Sequence, residues 1–244
     1  MLFRSRCRVA IAEGRLGAAI DAGREAIRLC RQPPDRRETA ALLGNLFLRI
    51  GAPAQAGDMA AAIAGWPLHV PDRLPLASIV LAAALDRDTG SARAALHEAL
   101  LDPHADRVLH EDIDSAHVLL GQLALAAGDA AGARAAVARV GYSVAHEGDA
   151  LAVRLAAGRV DGRADEAAFA AATALVDSGR LPALVQLDLL RALADETARL
   201  GRHRRWTPGW RERMAAQAQS LADALQAAPP LQAGFIRRHR DLLT

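Results

Sequence analysis

The densest group of side chains that could do chemistry lies in the segment DPHADRVLHEDIDSAH. His110, Asp114 and His117 are separated by four and three residues, so on one continuous helix they would share a face. His104 or Glu111 would approach that face from the preceding loop. Imidazole and carboxylate groups together are the ligands of zinc and similar ions. One interpretation of this segment is therefore a metal- or ligand-binding sensor, or an all-α enzyme.

A structural interpretation accounts for the same residues. Asp114 suits the N-cap of a helix, and a helix that begins there leaves His110 outside it, so the shared face disappears. His117 then occupies a packing position of the helix. The chain also lacks the GxxxxGK[ST], GxGxxG, HExxH, GxSxG and CxxC patterns of common catalytic and cofactor sites. We favour this interpretation and predict a non-catalytic protein with no bound metal and no cofactor.

The basic charge of the chain is concentrated at its C-terminal end. From Arg199 onward there are nine Arg and three acidic residues, a net charge of +6, whereas the whole chain carries +2 and residues 1–198 therefore sum to −4. Clustered Arg residues can neutralise phosphates, so a nucleic-acid-associated regulator is one alternative. We expect instead a patch that attracts an acidic protein partner. Its residues are Arg202, Arg204, Arg205 and Arg211.

Two tryptophans lie within this basic segment. Trp206 and Trp210 are four residues apart near a predicted helix start. Tryptophan can stack on nucleic-acid bases, but at this spacing the two rings also suit a hydrophobic staple against the last hairpin. We therefore predict a structural cap, and regard nucleic acid as an unlikely partner.

The compartment is predicted from what the chain lacks. Cys7 and Cys30 are its two cysteines, too few for a disulfide framework, and each falls at a packing position of the first predicted hairpin. The longest apolar stretch is far shorter than the roughly 20 residues that span a bilayer. The first residues do not form a convincing signal peptide. We expect a cytoplasmic protein with no membrane partner.

The elements that must position these residues are predicted by a recurring spacing. Five times a turn residue is followed by small or apolar residues five, nine and twelve positions later, which places one stripe along a helix. Successive turn residues are 37, 36, 41 and 34 positions apart, a period typical of stacked helical hairpins. These turn residues are Gly14, Gly51, Arg87, Gly128 and Gly162.

A second stripe precedes the turns. Gly44 lies seven residues before Gly51, and Gly121 lies seven residues before Gly128, about two helical turns in each case. Each unit is therefore predicted to be a helix, a tight turn and a second helix. The small residue of the first helix packs against an Ala of the second.

The segments AALLGNLFLRIGAPAQAGDMAAAIAGWP and AHVLLGQLALAAGDAAGARAAVARV resemble tetratricopeptide repeats (TPRs), which share the Leu-Gly pair, the Gly turn and the Ala contacts. The resemblance covers residues 1 to about 178. The usual aromatic positions are mostly Ala or Leu here, and the periods exceed the common 34, so several loops are longer. The ending APPLQAGFIRRHRDLL resembles tails that follow repeat arrays in large multidomain bacterial signalling proteins, namely ATPases and protein kinases.

The resemblance implies an all-α, right-handed α-solenoid. We predict about five TPR-like hairpins in residues 1–180 and a C-terminal helical cap in residues 181–244. Within the cap, helices are expected at 181–200, at 209 to about 227 and at 231–243, with Gly201 closing the first. Solenoid ends need such atypical repeats to stop the stacking.

In arrays of this kind the first helix of each hairpin lines a concave groove. The groove predicted here is apolar with flanking amides, which suits an amphipathic helix or an extended peptide. Too few cations accompany Asn45 for capture of a C-terminal carboxylate. We therefore predict an interaction scaffold or regulatory module for a protein or peptide, including another domain of the same system. The predicted groove residues are Asn45, Leu48, Leu81, Val118, Gln122 and Leu125.

Overall fold

A computed structural model describes residues 2–66, 70–83, 90–102, 109–141, 143–201 and 203–243. Within these ranges the chain forms thirteen α-helices and no β-strand, so the predicted all-α class is confirmed. The helices are α1 (Leu2–Ala12), α2 (Leu16–Leu29), α3 (Pro33–Arg49), α4 (Pro53–Ala64), α5 (Val70–Ala83), α6 (Gly90–Leu100), α7 (His110–Ala126), α8 (Ala130–Val137), α9 (Val144–Val160), α10 (Glu166–Asp177), α11 (Ala183–Arg199), α12 (His203–Asp223) and α13 (Pro229–Arg238).

The turns between paired helices share one glycine conformation. Gly14 has φ of 74°, a left-handed value that is strained for residues with a side chain. Its N–H donates to the Ile11 carbonyl (3.1 Å) and the next N–H, of Arg15, donates to that of Ala10 (2.8 Å), which is a Schellman helix ending. The equivalent glycines, with φ between 65° and 76°, are Gly51, Gly128, Gly162 and Gly201. The predicted turn at Arg87 lies outside the described residues.

Close packing within a hairpin follows the predicted small residues. A Cβ atom added to Gly121 on α7 would lie 2.8 Å from Val137 Cγ1 and 3.3 Å from the Ala133 carbonyl oxygen on α8. Ala133 and Val137 are buried in a core that also includes Val153 of α9. The predicted contact between the small residue of the first helix and the Ala of the second is therefore confirmed here.

The spacing is wrong in the fifth hairpin. Ala167, Ala171 and Ala174 of α10 are exposed, and the buried stripe runs through Ala168 and Ala172 instead. The turn is longer here, because α10 begins four residues after Gly162 whereas α8 begins two residues after its turn glycine. A longer turn delays the helix, so the face that meets the core falls later in the sequence.

The chain divides into two compact units. Unit 1 comprises Met1–Ile113 with Leu221–Arg240, and unit 2 comprises Asp114–Ser220 with Asp241–Thr244. This division by contact differs from the sequence division at residue 180, where the repeat pattern changes. In unit 2, α11 packs against α9 and α10. The first helix of the predicted cap therefore continues the packing of the preceding hairpin.

The C-terminal segment Leu221–Arg240, which contains α13, packs within unit 1 against the first two hairpins. The Gly17 N–H donates to the Ala224 carbonyl (3.0 Å), and Arg238 Nη1 donates to the Leu48 carbonyl (3.0 Å). A Cβ atom on Gly234 would lie 3.1 Å from the Gly51 carbonyl oxygen. The helices after Gly201 also begin earlier than predicted, α12 at His203 and α13 at Pro229.

Candidate functional site

The His/Asp segment does form one helical face, contrary to the interpretation we favoured. α7 begins at His110, so Asp114 lies inside the helix and is not its N-cap. Its carboxylate is fully buried and accepts the backbone N–H groups of Gly141 (3.2 Å) and Ser143 (3.0 Å). A side chain from one helix thus supplies acceptors for the segment that leads into α9. The predicted N-cap role is wrong because the helix starts one turn earlier.

His117 completes this face without completing a metal site. Its side chain is buried, and burial together with the Arg139 cation lowers its pKa, whereas Asp114 opposes the shift. The ring is therefore neutral near neutral pH. In the described ranges no three His, Cys, Asp or Glu side chains are grouped as metal ligands, and His104 lies outside those ranges. This arrangement is suited to holding α7 and the start of α9 together.

The C-terminal basic patch is described only in part. Arg202 lies outside the described residues, as do the side chains of Arg204 and Arg205, whose backbones belong to α12. Arg211 is exposed. Trp210 is buried, with its ring centroid 6.1 Å from that of Phe169 on α10. It therefore packs inside unit 2 as the staple interpretation predicted for this ring, whereas the side chain of Trp206 lies outside the described residues.

The predicted concave groove is not borne out at two of its positions. Leu81 is 0% exposed and Val118 is 6% exposed, so neither offers a contact surface to a partner. Val118 belongs instead to the core shared by α8 and α9. Both residues lie on faces that neighbouring helices cover. Successive residues of a helix are about 100° apart around its axis, so an error of one residue in the predicted register is enough to mistake a buried position for an exposed one.

The remaining groove residues keep some accessible surface. Gln122 is exposed, and Asn45, Leu48 and Leu125 are partly buried. Leu125 packs on the core of unit 2, and the Leu48 carbonyl is held by α13. Asn45 and Leu48 belong to unit 1, whereas Gln122 and Leu125 belong to unit 2.

A network of ion pairs joins the first helices of successive hairpins in unit 1. We call it the charged junction. Arg8 of α1 contacts Glu38 of α3 (2.8 Å) and lies 3.9 Å from Glu111 of α7. Arg37 of α3 contacts Asp72 of α5 (2.7 Å). One side chain of α1 therefore lies within ion-pair distance of both α3 and α7.

An open groove lies on a different surface of unit 1, between α5 and α6. It has a volume of about 460 Å³. Val80 is 40% exposed and lies one residue before the buried Leu81, so the accessible stripe of α5 is shifted by one position from the predicted one. The sequence could have indicated this stripe, because Leu76 and Val80 are four residues apart and therefore lie on one face of the helix. The groove is lined by Arg73, Leu76, Ala77, Val80, Ala92, Ala95, Glu98 and Ala99.

No helix in the described parts of the chain combines the length and the apolar character needed to cross a bilayer. Comparisons with protein-family models, with curated proteins and with solved structures found no match to this chain. The resemblance to tetratricopeptide repeats therefore stays a prediction from the residues that carry it.

Proposed function

We propose that this chain is a non-catalytic protein-interaction module that binds an amphipathic helix of a partner protein in the groove between α5 and α6. The observation that carries the proposal is the open, mostly apolar groove of about 460 Å³ in unit 1. It replaces the inner-face groove predicted from the sequence, two of whose residues are buried. The solenoid arrangement and its handedness are part of the same proposal.

The shape of the groove favours a helix as its occupant. One wall presents Leu76 and Val80 at a four-residue spacing, and the other presents the small side chains of Ala92, Ala95 and Ala99. Small residues permit close approach of a helix, and apolar anchors spaced by three or four residues are how grooves receive amphipathic helices.

The chain itself supplies a precedent for this mode of packing. In unit 1, α5 packs against both α3 and α4. In unit 2, α11 packs against both α9 and α10. In each case a third helix lies on a pair of helices, and the surface of α5 and α6 offers the same kind of paired platform. A partner helix would therefore use the packing by which a third helix of this chain lies on a preceding pair.

Charged side chains at the rim favour a partner helix that carries polar residues beside its apolar stripe. Arg73 is exposed and lies 3.6 Å from Asp102, and Glu98 is also exposed. Apolar burial at the centre should supply most of the affinity. The rim charges should affect association mainly at low ionic strength.

A displayed library of amphipathic helical peptides, selected on the intact chain, tests the proposal. We expect selected peptides to lose at least about tenfold in affinity, or about 1.4 kcal/mol, for Val80→Glu, because a carboxylate would have to be buried. Ile236→Glu is the matched control, since Ile236 of α13 is also 40% exposed but does not line the groove. Isothermal titration calorimetry gives the affinities.

Two results would contradict the proposal. One is a selection that yields no binding peptide. The other is a set of peptides that bind Val80→Glu and Ile236→Glu equally well, since their site would then lie elsewhere. Circular dichroism of each variant establishes that the fold is retained before affinities are compared.

A further inference from the structure

The end of the chain returns to its beginning. Leu221–Arg240 belongs to the same compact unit as the first two hairpins, α1–α2 and α3–α4, and we call this segment the strap. At its start, the Ala224 carbonyl accepts the N–H of Gly17 (3.0 Å). Gly17 is the second residue of α2, and the N–H groups of a first helical turn have no acceptor within the helix. The strap therefore completes the start of α2.

The strap reaches the second hairpin through the backbone. A Cβ atom on Gly234 of α13 would lie 3.1 Å from the Gly51 carbonyl oxygen, and one on Gly51 would lie 3.2 Å from that of Gly234. Arg238 Nη1 also donates to the carbonyl of Leu48 in the last turn of α3 (3.0 Å), 190 residues away. The approach of α13 to this turn thus depends on a glycine in each partner.

Buried apolar side chains make the strap one folded piece. Leu231 and Phe235 of α13 are one helical turn apart and are 4% and 0% exposed, and Leu225 in the preceding bend is also fully buried. Gln232 Nε2 donates to the Ala222 carbonyl (3.0 Å), which ties α13 to the end of α12. One element therefore contacts both hairpins.

We propose that the strap locks the first two hairpins together, so that these hairpins and α13 open in one cooperative event instead of fraying one at a time from the N-terminus. In a row of helical hairpins each unit contacts its sequence neighbours, and the end unit, with a neighbour on one side, opens most easily. α2 packs against α1 and α3, and the strap gives this first hairpin a further contact from the other end of the chain. This inference is independent of the proposed partner groove.

Hydrogen–deuterium exchange of the intact chain, measured by NMR, tests the lock. Arg238→Gln removes one exposed hydrogen bond to the second hairpin. We expect exchange to rise at least about threefold, and by a similar factor, at the N–H groups of Phe235, Gly51 and Gly17, because one opening event exposes all three. Gly17 decides the test, since its N–H bonds to Ala224 and not to Arg238. A rise confined to Phe235 and Gly51 would overturn the proposal.

Gly17→Ala approaches the lock from the other end. Its Cβ atom would lie 2.8 Å from the Ala224 carbonyl oxygen, so exchange at Phe235 should rise at least about tenfold, although Ala by itself favours a helix over Gly. Gly57→Ala on α4 is the matched control, because in the described part of unit 1 a Cβ atom there would meet nothing within 4 Å, and it should leave Phe235 unchanged. Unchanged exchange at Phe235 in Gly17→Ala, or an equal rise at Ser143 of unit 2, would also overturn the proposal.

Discussion

Asp112 and Asp114 are two residues apart on the same helix, yet their surroundings are opposite. Burial, and then the charges of Glu111, Glu38 and Asp72 opposed by Arg8, raise the pKa of Asp112 in unit 1 to about 7. Asp114, in unit 2, is more deeply buried and accepts two backbone N–H groups. Burial alone therefore does not decide the role of a carboxylate. Donors make a buried carboxylate a structural anchor, whereas burial and neighbouring carboxylates raise the pKa of a carboxyl group.

The largest effect expected from this comparison is on Asp114. Asp114→Ala leaves the N–H groups of Gly141 and Ser143 without their acceptor, at about 1 to 3 kcal/mol each, so the free energy of unfolding should fall by about 2 to 6 kcal/mol. Urea denaturation measures it. Asp129→Ala is the matched control, because Asp129 accepts one N–H at the exposed start of α8 and should cost about 0.5 to 2 kcal/mol. An equal loss of unfolding free energy in the two variants would contradict the expected difference between a buried acceptor of two N–H groups and an exposed helix cap.

His117, one turn beyond Asp114, should give unit 2 a pH dependence opposite in sign to that of Asp112. Its pKa is lowered in the folded chain, so the unfolded chain binds the proton more tightly. Stability should therefore fall as the pH drops below the unfolded value of about 6.5. His117→Leu should reduce this loss between about pH 7.5 and pH 5, measured by the urea midpoint. If His117→Leu lost as much stability as the wild type over this pH range, groups other than His117 would be responsible for the acid sensitivity.

The smallest effect is expected at Glu111. Its side chain is 58% exposed and 3.9 Å from Arg8, and exposed ion pairs of this kind contribute little. Glu111→Gln should change the free energy of unfolding at about pH 5 by less than about 0.5 kcal/mol. It should nevertheless lower the titration midpoint of Asp112. A large stability change would mean that the junction is held mainly by this exposed pair.

Several parts of the fold were predictable because they depend on neighbouring residues. A left-handed residue at a helix end favours glycine, so Gly14, Gly51, Gly128 and Gly162 could be recognised as turns. The stripe five, nine and twelve residues after a turn follows from the helical period. It failed after Gly162, where the longer turn shifted the stripe by one residue.

The groove between α5 and α6 was less predictable, because it depends on contacts with distant residues. The sequence indicates that α5 is apolar, but its apolar residues lie on all sides of the helix. Whether Leu81 or Val80 faces outward depends on how α3 and α4 pack against α5. A shift of one residue rotates a side chain by about 100°, enough to exchange a buried position for an exposed one.

The sequence by itself determined the helical class, most of the turns and the small residues of the hairpin contacts, because these follow from backbone conformation and from spacings within a few residues. Tertiary structure alone decided that Asp114 holds a segment 27 residues away, that Arg8 reaches α7, that Ala224 accepts the N–H of Gly17, and that α13 packs on the turn at Gly51. Those contacts join residues far apart in the sequence, so they depend on how many helices are oriented relative to one another. A pattern that covers a few neighbouring residues does not specify those orientations.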